Sequence, residues 1–191
     1  MQARWAFFFG QVSLALAALL IVVLGTPGSG LAAPAAVEPR DILLTVDDLA
    51  PGFTLDPRYT KSSTLEGAGP SEQIQYQRNA TAATLRDGPL VVGQIVIRLD
   101  GPLGAGDALA GVRNTLIEKQ GLSPSSEGPN DGGTFTLSKT ENDIKLMAVG
   151  FIKANMIIVT MSGGVSSVVT ADTTLQLAGT SSARLDGAMA R

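Results

Sequence analysis

The chain contains no cysteine and no histidine. The first absence excludes disulfides, thiolate metal sites, cysteine nucleophiles and the lipid-modified cysteine of bacterial lipoproteins. The second removes the side chain that ordinarily titrates near neutrality and the commonest metal ligand. Charge is also sparse: 16% of residues are charged, against a usual value of about 25%. The net charge is −3, and the Lys and Arg residues are scattered. Nucleic-acid affinity rests on clustered cations that displace counterions, so no nucleic-acid partner is expected. No metal or other cofactor is expected either.

What the chain does have is an apolar N-terminus. Arg4 precedes a run from Ala6 to Gly25, and small residues follow, with Ala33 and Ala35 at A-x-A spacing. Residues 1–35 therefore read as a secretory signal peptide cleaved after Ala35, or alternatively after Ala32. The alternative is an uncleaved membrane anchor, since residues 6–25 at helical rise span about 30 Å. Either reading places the remainder outside the cytoplasm, with the membrane touched only through this segment. Removing about 35 of 191 residues leaves roughly 155, ordinary for one domain.

Residues 36–40 read as a tether and 41–186 as a single α+β domain, with 187–191 as a tail. Asp41 to Leu49 reads as a short amphipathic helix, with Ile42, Leu43, Val46 and Leu49 on one side. Lys61 to Ser71 reads as a Ser/Thr/Gly loop. Gln73–Arg78 and Leu90–Leu99 alternate as strands. In the second, Val91, Ile95, Ile97 and Leu99 oppose Leu90, Val92, Gln94, Val96 and Arg98. Asp87-Gly88 marks a turn between the two. A helix runs from an Asp107 N-cap to about Gln120, closed by Gly121. Leu122–Gly133 reads as a loop and Thr134–Lys139 as a strand.

Ile144–Ile152 and Met156–Met161 form a hairpin, turning at Lys153-Ala154-Asn155. It is apolar on both faces and is therefore expected in the middle of the sheet. Val168–Leu185 is a last helix with Val168, Ala171, Leu175, Ala178 and Leu185 inward. The fold class expected is α+β, a mostly antiparallel sheet flanked by two long helices and one short N-terminal helix.

No pattern for chemistry stands out. Gly101–Gly106 sits between a strand and a helix but lacks the spacing of a phosphate loop, and Asp100 and Asp107 flank it. Asp47-Asp48 and Asp131 lack the ligand spacing of a calcium loop. Ser138-Lys139 and the serines at 162, 166 and 167 lie outside S-x-x-K or G-x-S-x-G signatures. Asn79-Ala80-Thr81 matches a glycosylation acceptor by chance. Trp5 belongs to the leader. Tyr59, Tyr76, Phe53, Phe135 and Phe151 are dispersed, as core rings are. No catalytic, cofactor-binding or metal residues are assigned.

The stretch Asp48-Leu49-Ala50-Pro51-Gly52-Phe53 is similar to the DLPxGF opening of many small bacterial extracytoplasmic proteins. Phe151, Ala154 and Asn155 stand where those proteins have a phenylalanine and a Gly-Asn turn. Over roughly Asp41 to Leu185 the chain resembles the PsbP/Mog1-like extracytoplasmic domain, including LpqN-type bacterial exported lipoproteins. Ala50 replaces the usual proline, Ala154 the usual glycine, and the lipobox cysteine is absent. The resemblance implies an exported, non-catalytic envelope protein that binds a partner protein or lipid-like ligand, and supplies no site residue. Two other readings compete with it: an extracytoplasmic hydrolase using carboxylate or serine groups, and a membrane-anchored sensory ectodomain.

Overall fold

A computed structural model of the chain describes residues 37–65, 67–100 and 103–190. The leader, both cleavage positions and the 6–25 run lie outside the described residues. Among those described, no helix is long and apolar enough to cross a membrane.

Eight strands form one sheet: β1 (Thr54–Leu55), β2 (Lys61–Leu65), β3 (Gly69–Gln77), β4 (Val91–Arg98), β5 (Ser123–Pro124), β6 (Thr134–Glu141), β7 (Ile144–Lys153) and β8 (Met156–Val165). Their order is β1-β3-β4-β8-β7-β6-β5, with β2 also on the outer edge of β3. Every ladder between them is antiparallel. Helix α1 (Ala105–Gln120) covers one face and α2 (Ala171–Met189) the other. The α+β class and the flanking helices are as the sequence led one to expect, and the β7–β8 hairpin is central.

Strand alternation divides the core. On the α1 face, Ile95, Ile97, Phe135, Leu137, Ala148, Ile157 and Val159 pack against Ala108, Leu109, Val112 and Leu116. That layer is apolar at its centre, and Ser71, Gln73 and Gln75 of β3 continue the same face as buried polar residues. The α2 face is split into smaller apolar clusters around Val96 and Ile158, around Phe53, Tyr76 and Val92, and around Met147 and Val169. Polar groups separate them. Gln94 donates from Nε2 to Thr160 Oγ1 (3.0 Å) and Ser181 Oγ (2.9 Å), and the Ser162 and Thr174 hydroxyls bond at 2.6 Å. All five are fully or almost fully buried. Each has a partner, which is the condition for burying it without large cost.

Several expected elements differ. Asp41–Leu49 is not one helix but two 3-10 turns, Pro39–Ile42 and Val46–Asp48, joined by extended chain. The buried residues are Ile42 and Leu44, two apart, while Val46 is 47% exposed. Extended backbone is stable here because side chains satisfy it. Gln94 Oε1 accepts from Leu44 N (2.9 Å), Tyr76 Oη donates to Leu44 O (3.1 Å), and Arg184 donates to Leu43 O. The segment from Val37 to Phe53 is thus a strap across the α2 side of the sheet. Glu38, expected in a tether, pairs with Arg98 at 2.8 Å.

The Lys61–Ser71 loop is instead strand β2, a tight turn and the start of β3. Ser62 donates to Glu72 (2.7 Å) and Ser63 bonds Ser71 (2.7 Å) across the pair. Polar, mostly exposed side chains on an outermost strand discourage pairing with other chains, and they hide the strand from a hydrophobicity reading. Within the 122–133 loop, Ser123–Pro124 adds a two-residue edge strand. Helix α1 begins at Ala105 with Gly104 at the N-cap, so Asp107 lies within its first turn rather than capping it. Gly121 closes it in the left-handed region, φ 66°. Helix α2 starts after Thr170, whose hydroxyl accepts from Thr173 N at 3.2 Å, and runs on through Met189. Its buried stripe is Ala171, Thr174, Ala178, Ser181 and Leu185. The polar members were not in the expected stripe, and Val168 and Leu175 are only partly buried.

Candidate functional site

A cleft of about 460 Å³ opens on the α2 side, between the strap, the 86–89 turn and the first turns of α2. Its floor is Phe53 and Val92, with Leu49 and Leu177 at the sides. These four belong to one apolar cluster with Leu44 and Tyr76. The cleft is therefore the point at which this part of the core reaches the surface. Its α2 wall is Thr173, Gln176, Leu177 and Thr180, spaced i, i+3, i+4, i+7 on a single helix face. That face adjoins the buried stripe and mixes one apolar with three polar residues. Asp48, Arg86 and Asp87 stand at the rim.

Two arginines build the walls. Arg184 Nη2 donates to both Asp48 carboxylate oxygens, at 2.8 and 2.6 Å, tying strap to helix. Burial pushes the Asp48 carboxyl up, but the Thr45 N–H and hydroxyl and the Arg184 guanidinium outweigh it and hold it below the ordinary aspartate value. Arg78, 5% exposed, pins the opposite wall: Nε donates to Pro89 O (2.8 Å) and Nη2 to Thr84 O (3.1 Å). Its guanidinium lies 5.1 Å from the centre of the Phe53 ring, a cation–π contact from beneath the floor. Burial lowers its pKa, and the charge of Asp87 opposes that. Arginine stays protonated regardless.

The residues singled out by sequence are dispersed by the fold. Asp47 is exposed, whereas Asp48 closes a capping box with Thr45 and enters the cleft rim. Asp131 Oδ1 accepts from Gly133 N at 3.0 Å, a turn contact. Among the described residues no group of three or more acidic side chains gathers to hold a metal. Asp100 pairs with Arg98, and Gly104 is the N-cap of α1, so the described part of the glycine loop serves as a strand-to-helix turn. Ser138 and Lys139 are consecutive in β6 and point to opposite faces. Ser162 is buried against Thr174. Phe53, Tyr76 and Phe135 are core rings, Phe151 packs at the edge of a second cluster, and Tyr59 lies under Arg58.

A second cavity, about 330 Å³, lies between α1 and the 130–135 segment, beside Arg113, Asn130 and Asp131. Sequence reading identified neither cavity. In the sequence Asp87-Gly88 carries only a turn signal, Arg86 none, and Leu177 is an apolar residue outside the inner stripe of α2. No protein-family model matches the chain, and no curated protein matches it.

Proposed function

We propose that the chain is an exported, non-catalytic binding protein whose cleft beside α2 takes a lipid-like ligand. The observation that carries this reading is the continuity of the cleft floor with the core. Leu49 and Leu177 present apolar surface over the buried Phe53 and Val92, while Thr173, Gln176 and Thr180 offer hydrogen bonds beside it. Its volume falls within the range of about 300–1,000 Å³ usual for small-molecule sites, and such sites combine an apolar lining with few polar groups.

A non-catalytic role is favoured by where the acids sit. Asp48, Asp56, Asp100, Glu127 and Asp186 are each engaged by a cation rather than facing one another across a cleft. Export rests on the leader. N-terminal sequencing of the product in the secreting cell should begin at Ala36, and a full-length cytosolic product would refute export.

The binding reading is tested with N-phenylnaphthylamine, a neutral dye that brightens in apolar sites. The purified domain should give saturable enhancement, and Leu177→Glu, a change on a partly exposed helix face, should abolish it while leaving the circular-dichroism spectrum intact. Absence of enhancement, or enhancement unaffected by Leu177→Glu, contradicts the reading.

A further inference from the structure

We infer that the cleft selects an amphiphile with a single anionic head, taken by Arg86, over neutral or cationic ones of equal chain length. This deepens the ligand-binding reading above and rests on it. The argument is one of charge matching. Among the described residues, the ionised groups that line the cleft are Asp48, Arg86 and Asp87. Asp48 is already neutralised by Arg184. Asp87 acts on Arg78, the buried arginine behind the floor. Arg78, bonded to Thr84 O and Pro89 O on either side of Asp87, forms no ion pair among the described residues, so its charge and that of Asp87 offset each other across the 84–89 wall.

Arg86 is left over. Its side chain is exposed at the rim and, among the described residues, forms no ion pair. The two acids and three arginines thus leave one positive charge, and it sits at the mouth of an apolar floor. A guanidinium offers two parallel N–H donors to a carboxylate or phosphate head, a geometry a neutral hydroxyl cannot use. The chain of such a ligand would lie against Leu49 and Leu177, above the buried Phe53 and Val92.

The test is displacement of N-phenylnaphthylamine at neutral pH and low salt by decanoate, decanol and decylammonium. Decanoate should bind about three- to tenfold tighter than decanol, the range expected for one partly exposed charged pair. Decylammonium should bind weakest, and added salt should shrink the decanoate preference. Arg86→Gln should bring the decanoate-to-decanol ratio near one, and Arg86→Lys should keep part of it. Decanol and decanoate binding equally, decylammonium binding best, or a ratio unchanged in Arg86→Gln overturns the charge preference while the cleft reading stands. Failure of all three to displace the dye overturns both.

Discussion

Arg184 reaches from α2 to Asp48, 136 residues earlier in the chain, and a single guanidinium nitrogen donates to both of its carboxylate oxygens. The other terminal nitrogen donates to Leu43 O. With a further bond from Nη2 to Thr45 Oγ1 (3.3 Å), one side chain thus fastens the strap at three residues, and the Asp48 end forms part of the cleft rim. The Asp48 side chain is 14% exposed and Arg184 30%, so the pair is shielded but not dry. Its loss should be felt both in stability and in the shape of the cleft.

Asp48→Asn should lower unfolding free energy by about 1–3 kcal/mol, the usual cost of removing a charged hydrogen-bond partner from a shielded site. The folded-state pKa of Asp48 is depressed. Its contribution is therefore complete above the unfolded value, about pH 4, and is lost as pH falls through the lower folded value. Urea unfolding at several pH values should show wild type and Asp48→Asn separated at neutral pH and converging in acid below about pH 4. A constant gap across that range would show that the carboxylate charge is not what matters.

Gln94 holds together three elements: strap, sheet and helix. Its Oε1 accepts from Leu44 N and from Ser181 Oγ (3.1 Å), while its Nε2 donates to Thr160 and Ser181. Gln94→Leu should strand those groups without water, and about 2–4 kcal/mol should be lost, more than Ser181→Ala at about 1 kcal/mol. Equilibrium denaturation of the two variants measures the difference. Equal costs would mean that the network is not centred on Gln94.

Gly150 is a steric requirement. A Cβ placed there would lie 2.4 Å from Phe135 Cζ, on the neighbouring strand. Gly150→Ala should cost about 1–3 kcal/mol through overpacking. In a double-mutant cycle, Phe135→Leu should relieve part of that cost, making the double variant more stable than the sum of the singles by about 1 kcal/mol. Additive effects would place the strain elsewhere.

Ala154 occupies the β7–β8 turn with φ 53°, a left-handed conformation that an alanine adopts at a cost. Ala154→Gly should remove the strain at the expense of a floppier unfolded chain. A net gain of up to about 1 kcal/mol is expected, read as a higher thermal midpoint.

The apolar half of the fold was legible because alternation alone assigns it. In β4, Val91, Ile95 and Ile97 fall on the α1 face and Val92 and Val96 on the other, as their spacing requires. The hairpin that is apolar on both faces had to be central for the same reason. What escaped were elements whose stability comes from polar groups. Strand β2 is mostly Ser, Thr and Lys, and the strap is extended because Gln94 and Tyr76 supply hydrogen bonds that a helix would otherwise provide. Thr174 and Ser181 were passed over as inward residues because their partners, Ser162 and Gln94, are distant in sequence. The cleft was hidden by the same logic. Leu49, Phe53, Val92 and Leu177 meet only after the strap folds over the sheet, and no local pattern joins them.

On the proposed function an apolar chain lies in this cleft, against Leu49 and Leu177. Methyl-detected NMR of the domain, titrated with decanol, measures that directly. Saturable shifts should centre on the methyls of Leu49, Val92, Val168 and Leu177, with those of Leu109 and Leu137 on the opposite face unmoved. Shifts spread evenly over both faces, or confined to the α1 side, would contradict the account.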